Sequence, residues 1–112
     1  MKQIAKDQYE AAQGERITVE ARPIGMSAQT IYASLDGQPL SPTFTPNPTF
    51  SFTLPDNDAP SYLQVDALIN TPSNASCELA ITASAGGSYQ GPVLDAIVTS
   101  VVISFTRTGG PR

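Results

Sequence analysis

Few side chains in this 112-residue chain could do chemistry, and the missing types narrow the field first. There is no His, which rules out Ser-His-Asp and Cys-His arrangements and every imidazole metal site. The single Cys77 has no imidazole to activate it. The alternation Cys77, Leu79, Ile81 turns it inward as a small apolar residue rather than a nucleophile. Asp56 and Asp58 are the close carboxylate pair, the pairing that cleaves glycosides. They sit in a short turn without aromatic walls to raise a pKa or hold a sugar, so no enzyme is expected. The same turn, Asp56-Asn57-Asp58, offers hard oxygen ligands at alternate positions, and calcium could bind if Asp36, Asp95 or backbone carbonyls completed the shell. Against this, the EF-hand spacing is absent, and Asp and Asn are also what turns prefer. Gly86-Gly87 precedes neither a Lys nor a helix, so it is no phosphate loop and no cofactor is expected. Asn74-Ala75-Ser76 matches a glycosylation sequon, a pattern that also arises by chance. Tyr32, Tyr62 and Tyr89 are the binding candidates. The first two fall on faces opposite the inward sets and the third lies in a Gly-rich stretch; exposed aromatics are enriched at interfaces. The competing reading has each tyrosine capping the rim of the core.

Charge excludes further classes. Only 14% of residues are charged, against about 25% in a typical domain. Lys2, Lys6, Arg16 and Arg22 lie near the start and Arg107 and Arg112 near the end. No cation stands between Pro23 and Thr106, whereas Asp36, Asp56, Asp58, Asp66, Glu78 and Asp95 all do. A nucleic-acid binder needs clustered cations to neutralise phosphates, and anionic membrane needs them for docking, so neither is an expected partner. There is no apolar run long enough to insert in a membrane as a helix. The opening MKQIAKDQYEAAQG lacks the apolar segment of a signal peptide. That leaves a cytoplasmic protein or an exported domain already processed, and the lone Cys leans toward a reducing compartment.

The elements that must position these residues are strands. Residues 1–14 hold good helix formers with Gly14 placed like a C-cap, but only a weak apolar stripe, so a frayed arm or short helix is expected there. Residues 16–22 alternate cleanly, with Ile17, Val19 and Ala21 on one face, and Pro23 should end that strand. Residues 29–35 form the next strand. Asp36-Gly37 is a type I′ turn signal, and a short return strand, residues 38–41, is confined to an edge by Pro39 and Pro42. After a Pro-rich stretch whose Phe44 should plug one end of the core, residues 49–54 put Phe50, Phe52 and Leu54 inward. Residues 61–69 likewise put Leu63, Val65, Ala67 and Ile69 inward. Residues 77–85 form another strand, residues 86–92 read as a mobile stretch, and residues 95–107 read as one long strand with Ile97, Val101, Ile103 and Phe105 inward.

About seven strands at ten-residue spacing, with Gly and Pro turns and no helix of three turns, predict an all-β fold: an antiparallel two-sheet β-sandwich over residues 15–107, followed by a flexible tail at 108–112. In broad pattern it resembles an immunoglobulin-like or fibronectin-like β-sandwich, although the Cys, Trp and Cys arrangement of true immunoglobulin domains is missing. A jelly roll or small barrel is the alternative. Prolines at 39, 42, 46, 48, 55 and 60 stand in for the edge lysines the body lacks. Where no proline intervenes, along residues 61–69 and the last strand, an edge would be neutral and open to pairing, unless both strands are internal to their sheets. The functional expectation is a non-catalytic module that binds another protein or associates with itself as a homo-oligomer. The alternative is a carbohydrate-binding or adhesive surface domain, helped by calcium.

Overall fold

The computed structural model describes residues 1–24, 29–44, 47–54, 59–69, 76–95 and 98–107. Among these there is no helix, and eleven strand segments make two sheets. In chain order they are β1 (Lys2–Ala5), β2 (Gln8–Ala11), β3 (Arg16–Ile24), β4 (Gln29–Leu35), β5 (Gln38–Leu40), β6 (Thr43–Phe44), β7 (Pro48–Thr53), β8 (Ser61–Ile69), β9 (Ser76–Ala83), β10 (Ser88–Asp95) and β11 (Ser100–Arg107). The six-stranded sheet runs β1-β2-β11-β8-β4-β5 and the five-stranded sheet β10-β9-β3-β7-β6. Side chains from both enclose one core. Ile17, Val19, Ala21, Phe50, Phe52, Leu79 and Ile81 come from the five-stranded sheet; Leu63, Val65, Ile103 and Phe105 come from the six-stranded one. These are the inward sets of the alternating segments, as period-2 burial requires.

A chain of aromatic rings ties the sheets together at one end of that core. Phe52 meets Phe105 edge-on with ring centroids 5.4 Å apart, Phe105 stacks on Tyr9 at 5.8 Å, and Tyr9 meets Tyr89 at 5.4 Å. The rings therefore pass from the five-stranded sheet to the six-stranded one and back.

Several expectations need correction. Residues 1–14 are neither arm nor helix, because Lys2–Ala5 and Gln8–Ala11 form a hairpin. Its second strand lies parallel to β11, with Tyr9 opposite Phe105. Burying Tyr9 and Ala11 decides the matter, since a two-apart spacing feeds one sheet face and makes only a poor helical stripe. Residues 95–107 are not one strand. Asp95 ends β10 in one sheet, its amide donates to Val98 O at 2.8 Å and its carboxylate accepts the Val98 amide at 2.7 Å, and β11 starts at Ser100 in the other sheet. The run has no Gly or Pro to mark a break, so its composition hid the crossing. The Gly-rich stretch 86–92 is largely strand: β10 pairs with β9, and the register break between Gln90 and Val93 falls on Gly91-Pro92. Strand β3 continues past Pro23 to Ile24, because its pairing with β7 stops at Glu20 and the missing donor falls beyond that neighbour.

The open-edge expectation also fails. Strand β8 lies between β11 and β4, and β11 lies between β2 and β8, so both are interior. The real edges are each blunted. Pro39 sits in the three-residue β5, the Gly91-Pro92 bulge interrupts β10, β6 is two residues long, and β1 carries Lys2 and a register shift between Gln3 and Ala5. The β4–β5 turn matches its sequence signal, with Asp36 and Gly37 at φ 50° and 85°. The side chains of Phe44 and Ile69, and residues 108–112, lie outside the described set.

Candidate functional site

The outer face of the six-stranded sheet holds the side chains that burial leaves over. Alternation sends Ile31, Ala33, Leu63, Val65, Ile103 and Phe105 inward, and so turns Tyr32, Tyr62 and Val102 outward on three adjacent strands. They are 56%, 50% and 51% exposed. Strand register fixes their spacing: Tyr32 stands opposite Asp66, Tyr62 opposite Ser104, and Val102 opposite Gln64 between them. Gln64 donates to the Asp66 carboxylate at 3.2 and 3.3 Å and to Ser100 Oγ at 3.5 Å, which gives the patch a hydrogen-bonded polar floor. Tyr62 is further held at its backbone, where its amide donates to Asp36 Oδ1 at 2.8 Å and its carbonyl accepts the Asp36 amide at 2.9 Å.

Tyr89 does not join them. It lies on β10, half-buried against the core, and its hydroxyl donates to Met1 O at 3.0 Å. Its task is to cap the core rim and hold the chain start, as the competing reading had it. Near it, the buried Glu15 carboxylate accepts the Ala12 and Ala85 amides at 2.8 and 3.3 Å and lies 3.5 Å from the Met1 ammonium. This is structural wiring between loops. Asp56, Asn57 and Asp58 lie outside the described residues. Of the ligands invoked to complete a calcium shell there, Asp36 and Asp95 each already accept a backbone amide. Among the described residues no group of three His, Cys, Asp or Glu stands together as a metal site.

Cys77 is fully buried, and desolvation, with Glu78 adding to it, pushes its thiol up to about 11. At neutral pH it is a protonated core residue. The outer face of the five-stranded sheet is polar. Glu20 accepts from Asn47 Nδ2 at 3.0 Å and from Arg22 Nε at 2.9 Å, and these bonds hold its carboxyl below the ordinary range. The sequence signals missed here were the outward positions themselves: Gln64, Asp66 and Val102 on one sheet, Glu20 and Arg22 on the other. Only register between strands gathers them into sites. No family model, no curated protein and no solved structure matches this chain.

Proposed function

We propose that the chain is a non-catalytic assembly module that associates with a second copy of itself through the outer face of the six-stranded sheet. The observation that carries this is the patch of Tyr32, Tyr62 and Val102, held on interior strands while every edge is blunted against pairing. The rigid backbone lowers the ordering cost of using it. The face is self-complementary: a two-fold axis lying in the interface and crossing the strands at Gln64 sets Tyr32 over the second copy's Tyr62. It also sets Asp66 against that tyrosine's hydroxyl, with no carboxylate facing its own copy. Tyr62 and Asp66 are only about 13 Å apart along the strand. The patch is therefore well under the roughly 800 Å² per partner of a standard interface, and the association is weak and concentration-dependent.

An immunoglobulin-like arrangement of the two sheets is part of the same reading. The orders β11-β8-β4-β5 and β9-β3-β7-β6 follow the sequence G-F-C-C′ and A-B-E-D, with the β9–β10 hairpin standing where strand A would be.

Light scattering across a concentration series tests the proposal. The mass should rise toward a dimer with concentration, should not fall on adding salt because no cation–anion pair holds the contact and each copy carries a net charge of -4, and should stay monomeric in the Tyr32→Ser, Tyr62→Ser double variant. A wild-type monomer at the highest attainable concentration overturns it.

A further inference from the structure

The opposite face of the molecule carries a second, chemically different surface. Strand register lines up Thr49, Glu20, Ala80 and Gln90 as one row across β7, β3, β9 and β10. Ala80 is a notch in that row, since its side chain is a single methyl between two long polar neighbours. A cleft of about 260 Å³ opens on the Glu20 side and one of about 130 Å³ on the Gln90 side. Both are lined by Arg22, Ala80 and Thr82, so they meet over the notch.

The walls are planar polar groups fixed before any ligand arrives. On one side Asn47 and Arg22 donate to Glu20. On the other, Gln90 Nε2 donates to Glu78 Oε2 at 2.9 Å. Arg22 contacts Glu20 through Nε, and its side chain, 57% exposed, lines both clefts. The charges of Glu20 and Glu78 outweigh that of Arg22, which disfavours an anion. Leu79 and Tyr89 also line the Gln90-side cleft, but Leu79 is buried in the core, and the Glu20-side cleft is lined only by Thr18, Glu20, Arg22, Thr49, Ala80 and Thr82, which disfavours a purely apolar ligand. What remains is a ligand whose groups both donate and accept at close spacing and which carries no charge.

We propose that this row is a binding groove for a neutral sugar ring, with Arg22, Glu20 and Gln90 hydrogen-bonding vicinal hydroxyls and Ala80 leaving room for the ring. Each hydroxyl is donor and acceptor at once, so it suits an array of guanidinium, carboxylate and amide. The clefts fall below the size of a typical small-molecule pocket, and affinity should be in the millimolar range.

An amide-resolved NMR titration of the full chain with methyl glucoside, methyl galactoside, methyl mannoside and glucuronate tests this. At least one neutral glycoside should give saturable shifts at Thr18, Ala80, Thr82 and Gln90, and glucuronate should bind more weakly. Ala80→Leu, which fills the notch on a solvent-facing position, should weaken that binding tenfold or more while the rest of the spectrum stays in place. Arg22→Ala should weaken it as well, which separates loss of the fork from any folding defect of Ala80→Leu. No saturable shift with any neutral glycoside overturns the proposal, and so does tighter binding of glucuronate, which would make Arg22 an anion site. The face of Tyr32 and Tyr62 takes no part in these measurements, so the assembly reading stands or falls apart from them.

Discussion

Tyr9 shows what a single buried atom can decide. Its ring is 1% exposed and packed between Phe105 and Tyr89, yet its hydroxyl has no hydrogen-bond partner among the described residues. A buried unpaired hydroxyl costs about 1–3 kcal/mol. Tyr9→Phe keeps the ring contacts and removes that cost, so its unfolding free energy in urea should equal or exceed that of wild type, by up to about 3 kcal/mol. A clear loss would mean that a water satisfies the hydroxyl. Cys77 sets a pH dependence. Its folded pKa of about 11 exceeds the ordinary 9.0, so the folded state binds the proton more tightly. The stabilisation is whole below pH 9 and fades as pH rises through 11. At about 1.4 kcal/mol per unit, wild type should lose about 2–3 kcal/mol relative to Cys77→Ala across that window. Burial of Tyr9 raises its pKa too, but it is common to both proteins and cancels in the comparison. At this scale the sequence was read well for Cys77, whose inward parity follows from its neighbours. It was read badly for Tyr89, because the bulge at Gly91-Pro92 disguised a strand as a loop.

At the scale of elements, period-2 alternation in the sequence marks the inward faces of β3, β7, β8 and β9, and all four are buried as that parity demands. What escaped were elements defined by partners rather than by pattern. The N-terminal hairpin has four-residue strands made of helix formers, and only contact with β11 fixes its conformation. Its two strands should therefore differ sharply in tolerance. Tyr9→Ala in β2 should cost about 3–5 kcal/mol in equilibrium unfolding, whereas Ile4→Ser on the exposed β1 should cost under about 0.5 kcal/mol. Equal effects would show that the hairpin docks as one rigid unit. The turn that follows β9 has a tighter requirement. Gly87 has φ 109°, and a Cβ there would lie 2.9 Å from Met1 O and 3.1 Å from the Tyr89 ring. Gly87→Ala should cost more than about 1 kcal/mol, whereas the solvent-facing Ser88→Ala should be nearly neutral.

For the molecule as a whole, two sheets over one core were legible because inward sets recur in both halves of the chain and cannot all be served by one open sheet. The order of strands was not, since it depends on which neutral strand pairs with which, and similar apolar runs do not encode that choice. Pairings such as β2 with β11 join the two ends of the chain, so loop closure must precede most of the stabilising contacts. Refolding should accordingly be slow for a domain of this size, milliseconds to seconds by stopped-flow, and a microsecond phase carrying the full amplitude would contradict the pairing order. The parallel run of β2 beside β11 also has a mechanical meaning. If tension is applied through the two ends of the chain, β1 peels first and the load then reaches strands that point the same way and are dragged in opposite directions. Their hydrogen bonds are strained together rather than opened one after another like a zipper. The seam that closes this domain is thus also the part best arranged to bear a pull, a useful property in the assembly role proposed above.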